Sequence, residues 1–353
     1  GAKEGDAERG HDTAPGEKGW RGMRYFVTGA TGFIGGETTR QLVAAGHEVV
    51  ALVRNPSAAR GLLERGVTLA PGDVGDRESL RAGMAGCDGV FHIAGWYKIG
   101  RPNVAAAEAI NVAGTRNVLE VMRDLGIPKG VYTSTVAVFS DTHGKLPAET
   151  YRYDGPHISV YDRTKWQAHY EVADPLIHDG LPLIIVQPGV VYGPGDTSAI
   201  HETWVDYLRR RLPAVPRGIA YCWGHVADTA AGHLLAMERG RPGESYIIAG
   251  PPHTLADALR LAEGITGVPA PRRQLSPGMM RAAAALVRPF EGLLPLPNTY
   301  TSEGLRVSAG VTYLGSNAKA CRELGYAPRT LEEGLPETQR AEMAALGMRP
   351  AAG

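Results

Sequence analysis

The chain has 353 residues, 43% of them apolar, and its 37 basic and 37 acidic side chains balance to a formal net charge of zero. Zero net charge and no basic stripe argue against a general grip on nucleic acid or an anionic membrane, and no run of about 18 uninterrupted apolar residues offers a spanning helix. Cys87, Cys222 and Cys321 are scattered and form no C-x-x-C pair, which fits reduced thiols in a cytoplasm better than a disulfide framework. No charged stretch leads into an apolar run and a cleavage site, so no secretion signal is read and a cytoplasmic location is expected.

Residues 1–22 are rich in glycine and charge, with Trp20 almost alone as an apolar group. Such a segment cannot offset its ordering entropy by burial and is expected to be disordered, as a natural tail or an expression remnant. From Met23 onward, short β-branched runs alternate with helix-length stretches. Strands are predicted at Arg24–Thr28, His47–Val53, Val67–Ala70, Gly89–Ile93, Gly130–Ser134 and Leu183–Gln187. Helices are predicted from the glycine turn to about Ala45 and near Asp76–Ala85, Asn103–Leu125 and Tyr161–Ala173. This alternation implies an α/β, Rossmann-type doubly wound parallel sheet over residues 23–191. Pro175 removes a backbone donor, so a kink or an early helix end is expected near Asp174. Residues 192–353 read mainly as a smaller, intertwined substrate lobe. Residues 225–250 are expected to return to the sheet through the strand-like Gly243–Gly250, with helices near Thr254–Gly264 and Pro277–Val287.

The first turn reads Gly29-Ala30-Thr31-Gly32-Phe33-Ile34-Gly35 between a strand and a helix. That context gives a glycine fingerprint its meaning, because glycines let backbone amides approach a pyrophosphate at a helix N-terminus. A carboxylate at the end of the second strand would bond the ribose 2′-hydroxyl of NAD, whereas an arginine accommodates the 2′-phosphate of NADP. The strand ends Val53-Arg54-Asn55, so NADP(H) is expected over NAD(H). Asp73 and Val74 follow the third strand, where Asp73 suits the adenine amino group, and Ala94 and Gly95 follow the fourth, where small residues leave room for a cofactor.

Only seven of the 37 basic side chains are lysines, and one of them completes Tyr161-Asp162-Arg163-Thr164-Lys165. Four residues apart on a helix, phenol and ammonium share a face. The pair follows the strand end Tyr132-Thr133-Ser134-Thr135, at the carboxyl edge where open α/β sheets bind ligands. Together with Thr28–Gly35, Asp73, Asn111-Val-Ala-Gly-Thr115 and Gln187-Pro188-Gly-Val-Val191-Tyr-Gly-Pro194, these motifs resemble the extended short-chain dehydrogenase/reductase family, in its order, from Met23 to Tyr326. The sequence looks most like the branch of dihydroflavonol 4-reductase-like and NAD-dependent epimerase/dehydratase-like proteins.

That resemblance implies Tyr161 as general acid/base, its phenol pKa lowered by Lys165 together with the nicotinamide's positive charge, and Lys165 as the group that also holds the nicotinamide ribose. A hydroxyl from the strand end would bond the substrate oxygen. Thr135 is favoured over Ser134, and the two cannot both serve because neighbouring strand residues face opposite ways. Asn111 would help order the site, and Thr133, Pro188 and Val191 would border the cofactor. Trp96, Tyr97 and Trp204, together with Ser134, are candidates on the substrate side, where Tyr207, Tyr221 and Trp223 add further aromatics. The helices Asn103–Leu125 and Tyr161–Ala173 resemble those that pair into homodimers. No metal spacing is present among the 11 histidines, nor a Gly-x-Ser-x-Gly elbow for hydrolysis. The expected activity is NADP(H)-dependent reduction of a ketone or aldehyde, or oxidation of the secondary alcohol, in a small apolar or aromatic molecule. A nucleotide-sugar epimerase or dehydratase with tightly held NAD is the alternative, and a non-enzymatic dinucleotide sensor a more distant one.

Overall fold

Runs such as Tyr25–Thr28, Val49–Val53 and Leu183–Val186 are buried on both faces, as strands of a parallel sheet covered by helices on either side must be. In the computed structural model, which describes residues 22–100, 103–291 and 296–348, seven strands form one sheet. They are β1 (Arg24–Thr28), β2 (Glu48–Val53), β3 (Thr68–Pro71), β4 (Gly89–His92), β5 (Gly130–Thr133), β6 (Leu183–Pro188) and β7 (Ser245–Ile248). Their order is β3-β2-β1-β4-β5-β6-β7, with every pairing parallel. The doubly wound fold class is thus as expected, and the strand order reverses between β1 and β4. The disordered tail expected at residues 1–22 lies outside the described residues but for Gly22.

Two apolar layers flank the sheet. One joins Val27, Val49, Phe91 and Val131 to Met237 and Leu324, and the other joins Phe26, Val90 and Ile185 to Leu80, Val118 and Val172. Strand β7 comes from the later part of the chain and pairs with β6, Ser245 opposite Ile185. Around it stands a second, four-stranded sheet of short segments, Val190–Tyr192, Ala220–His225, Pro252–Thr254 and Thr312–Tyr313. Its helices Leu255–Thr266 and Leu331–Ala345 each begin with a reciprocal capping box, Thr254/Asp257 and Thr330/Glu333.

Pro175 does not end its helix. The segment from Val160 runs on to His178, because a wider turn over Ala168–Ala173 places the proline in the first turn of the helical stretch Asp174–His178, where a missing N–H costs little. A second wide turn, Glu108–Gly114, interrupts the other long helix and carries Asn111. Such turns recur at functional sites, and both of these flank the carboxyl edge of β4 and β5.

Candidate active site

The glycine turn sits at the reversal point. Gly29 has φ +77°, and a Cβ there would lie 2.7 Å from the backbone nitrogen of Ala94. A Cβ at Gly35 would lie 2.1 Å from the carbonyl oxygen of Gly29, so helix α1 (Phe33–Ala44) approaches the turn as only glycine permits. Gly32 caps α1 without any side-chain hydrogen bond, and no acidic residue stands in its first turn. The amides of Phe33, Ile34 and Gly35 thus meet no competing carboxylate, and an anion fits there by the partial charge of the helix end. Thr31 lies exposed within the turn.

Around this turn, Arg54 is exposed at the end of β2 and makes no hydrogen bond or ion pair among the described residues. Asp73 accepts the Gly75 amide at 2.8 Å, and Val74 packs beneath Gly114. Ala94 and Gly95 follow β4, where the Thr28 hydroxyl accepts the amides of Ile93 and Ala94 at 3.2 and 3.1 Å.

Ser159 opens the helix Val160–Gln167 by capping Asp162, and that helix carries Tyr161 and Lys165 to the same edge. The Lys165 ammonium is buried, donating to the carbonyl of Thr133 at 2.7 Å and to the Tyr132 hydroxyl at 3.2 Å, and burial pulls its pKa down to about 7. Asn111, 1% exposed, clamps Trp96 from both sides, accepting its amide at 2.7 Å and donating to its carbonyl at 2.9 Å. It also donates to Thr164 at 2.9 Å. One side chain thus fixes the loop after β4 to the helix of Tyr161.

The three consecutive hydroxyls at the end of β5 go to different places. Thr133 bonds His233 at 2.9 Å and Ser134 bonds His169 at 2.8 Å, both buried. Thr135 alone meets the Tyr161 hydroxyl, a hydrogen bond that pulls the phenol pKa down. The Thr133 and Ser134 side chains are therefore both engaged by buried histidines, and Thr133 offers Lys165 its carbonyl. Burial outweighs the Thr135 bond and pushes Tyr161 up to about 12. The phenol keeps its proton at neutral pH.

Next to this hydroxyl pair, Ile99, Ile158, Tyr161 and Tyr221 pack on one apolar cluster with Val136, Phe139, Tyr313 and Leu314. Tyr221 and Tyr313 stack in parallel, with ring centroids 6.2 Å apart and planes 4° apart. Trp96 is buried and Tyr97 exposed on the loop after β4. Trp204 belongs elsewhere: it is 1% exposed among Tyr207, Trp223 and Leu335 in the lobe core, where its size fills space between two helices and the small sheet. Pro188 ends β6 opposite Ile248, and half-buried Val191 lies in register with Gly224.

Sequence reasoning passed over Asp162, Tyr313 and Glu303. Asp162 is 1% exposed and accepts from the Tyr313 hydroxyl at 3.1 Å, which anchors the stacked pair. Glu303, from the helix Ser302–Val307, takes the amides of Gly100 and Val160, both at 3.2 Å, tying the lobe to the loop after β4 and to the start of the helix that carries Tyr161. No local pattern announces these carboxylates; only their burial does.

Burial raises Asp162 from its ordinary 3.8 to about 7. The folded chain therefore holds a proton there that the unfolded chain has released, and the stability present below pH 4 is lost as pH rises through 7. Asp162→Asn should gain on the wild type across that interval by up to about 4 kcal/mol, measured by urea unfolding at a series of pH values. An unchanged difference at pH 4 and pH 7 would contradict it.

The family model of the NAD dependent epimerase/dehydratase family matches residues 25–249, from β1 through the end of β7. The chain belongs to that family. Its relatives divide in chemistry but agree in length and fold. A ketoreductase of Stigmatella aurantiaca, named for a 3-oxo-4-farnesyl-dihydroquinoline oxide, is 34% identical over 339 residues, covering 93% of this chain and 99% of its own. A Synechocystis sp. relative, provisionally named a dihydroflavonol 4-reductase, is 32% identical over 322 residues, covering 89% and 92%. The crystal structure of gox2253 superposes with a TM-score of 0.79 at 32% identity, covering 92% of this chain and 99% of that one. As a member of the extended short-chain dehydrogenase/reductase family, the protein is an enzyme of the oxidoreductase and epimerase class that works with a nicotinamide dinucleotide. No described helix is long and apolar enough to cross a membrane.

Proposed function

We propose that the protein is an NADP(H)-dependent carbonyl reductase for a small apolar or aromatic ketone or aldehyde, with Tyr161 as general acid, Thr135 as its partner on the substrate oxygen and Lys165 on the nicotinamide ribose. The observation that carries this reading is the Thr135–Tyr161 hydroxyl pair at the carboxyl edge of β5, facing the aromatic wall of Tyr221 and Tyr313.

Gly29, Gly32 and Gly35 with Phe33 and Ile34 would hold the pyrophosphate, Arg54 the 2′-phosphate, Asp73 and Val74 the adenine, and Ala94, Gly95, Asn111, Pro188 and Val191 the nicotinamide half. When bound, NADPH supplies the hydride. Tyr161 holds its proton because burial keeps the phenol neutral, so it can give that proton to a carbonyl oxygen as negative charge develops there. Thr135 donates to the same oxygen, and a wall of aromatic and aliphatic side chains favours a neutral substrate over a nucleotide diphosphate.

The test uses the purified chain with NADPH and NADH against a panel of ketones and aldehydes. Stoichiometric NADPH consumption is expected, whereas NAD that stays with the protein through purification would point to the epimerase reading. Arg54→Ala should weaken NADPH binding about tenfold to a hundredfold, as loss of a charged hydrogen bond does, and leave NADH binding unchanged. Equal preference for the two dinucleotides in both proteins would overturn the NADP assignment.

A further inference from the structure

Thr28, His92 and Tyr132 are register partners across β1, β4 and β5, so they stand side by side on the sheet face that Lys165 packs against. The Tyr132 ring stacks on His92, centroids 5.5 Å apart and planes 19° apart, and the Lys165 ammonium lies 4.8 Å from the same ring's centroid. Polar bonds connect them all. His92 Nδ1 meets the Thr28 hydroxyl at 2.8 Å, His92 Nε2 meets the Thr115 hydroxyl at 3.0 Å, and Thr115 bonds the Tyr132 hydroxyl.

The direction of this chain follows from its first member. Thr28 Oγ1 already accepts the amides of Ile93 and Ala94, so its own hydrogen goes to His92 Nδ1. His92 is then the tautomer with hydrogen on Nε2, donating to Thr115. Burial holds His92 down to about 3, so this arrangement persists at working pH. Lys165 meets no carboxylate among the described residues: Thr133 O and Tyr132 Oη take two of its hydrogens, and the third is left for the cleft by Gly95, whose Cβ position is 4.0 Å from Nζ.

We infer that Tyr132 is a positioning residue for Lys165: its hydroxyl and ring, oriented by a hydrogen-bonded row that begins at the dinucleotide turn, keep a buried ammonium charged and aimed into the cleft. The catalytic meaning of this rests on the reading of Lys165 above, but its geometry does not. Removing one acceptor from a buried ammonium should weaken its hold on the proton.

The groups facing Nζ are His92 and Tyr132 from the sheet, Tyr161 one turn before it and His169 one turn after, with Asp162 on the same helix. Both histidines are pushed down to about 3 and stay neutral, while Asp162 titrates near the range of Lys165. The test is therefore run on the full chain labelled with nitrogen-15 lysine, in the wild-type and Asp162→Asn backgrounds. The Lys165 signal is identified by its loss in Lys165→Ala and followed by NMR against pH without substrate or dinucleotide. In Tyr132→Phe, which keeps the ring, Lys165 should bind its proton about tenfold more weakly and titrate about one pH lower. Thr115→Val, which frees the phenol from the row, should move it the same way by less. Titration unchanged in both variants would overturn the inference. Failure of Tyr161→Phe to lose turnover would instead overturn the catalytic reading, so the two can fail separately.

Discussion

Tyr161→Phe should lower turnover by about 10²- to 10⁴-fold, the usual contribution of a positioned general acid, while leaving NADPH affinity within a factor of two or three. The ring stays packed on the cluster with Tyr313 and Leu314, and the lost hydrogen bond to Thr135 costs about 1 kcal/mol of stability. The fall should appear in kcat and kcat/KM alike, because the proton is needed only as charge builds on the oxygen. Steady-state kinetics with fluorescence titration of NADPH separates the two quantities. Turnover within a few-fold of wild type would remove Tyr161 from the chemistry.

The second large effect is expected at the glycine turn. Gly35→Ala places a methyl 2.1 Å from the Gly29 oxygen and 2.6 Å from its carbon, and no rotamer relieves an overlap between backbone and Cβ. Either α1 moves off the turn or the turn opens, at a cost of about 3 kcal/mol or more, and the amides at the helix start lose their alignment. NADPH binding should weaken at least a hundredfold, with a lower melting temperature. Gly36→Ala supplies the contrast from the next position. Its Cβ would rest at an ordinary 3.4 Å from the Ala30 oxygen, so a helix-interior Gly→Ala change there should leave binding intact and be neutral or stabilising by about 0.5–1 kcal/mol. Equal tolerance of alanine at both positions would contradict the packing described for the turn.

How much of this was legible in the sequence depended on whether the signal was local. Strands β1 to β6 were, because short β-branched runs alternate with helix-length stretches along the chain. The glycine turn was, because its steric demands fall within seven residues. The preference for Thr135 over Ser134 came from the family resemblance, but what holds the neighbouring hydroxyls was not legible, since it turns on where a distant histidine waits: His233 for Thr133, His169 for Ser134. Trp204 misled for the same reason, as a tryptophan reads alike in a pocket and in a core. The wide turn that carries the helix past Pro175 left no mark either, since α- and π-turns share composition. Asp162 and Glu303 gain their meaning only from segments more than a hundred residues away.

Strand β7 has a bearing on how the chain comes into being. Until Ser245–Ile248 leave the ribosome, β6 has a bare edge on the side that they will occupy, a row of peptide groups that any extended segment can join. The seven-stranded sheet therefore cannot complete itself during synthesis ahead of the lobe; it waits on residues from the far side of the lobe's first strands. Fragments stopping near Tyr192 should be recovered in inclusion bodies, while those reaching past Gly250 gain the missing edge.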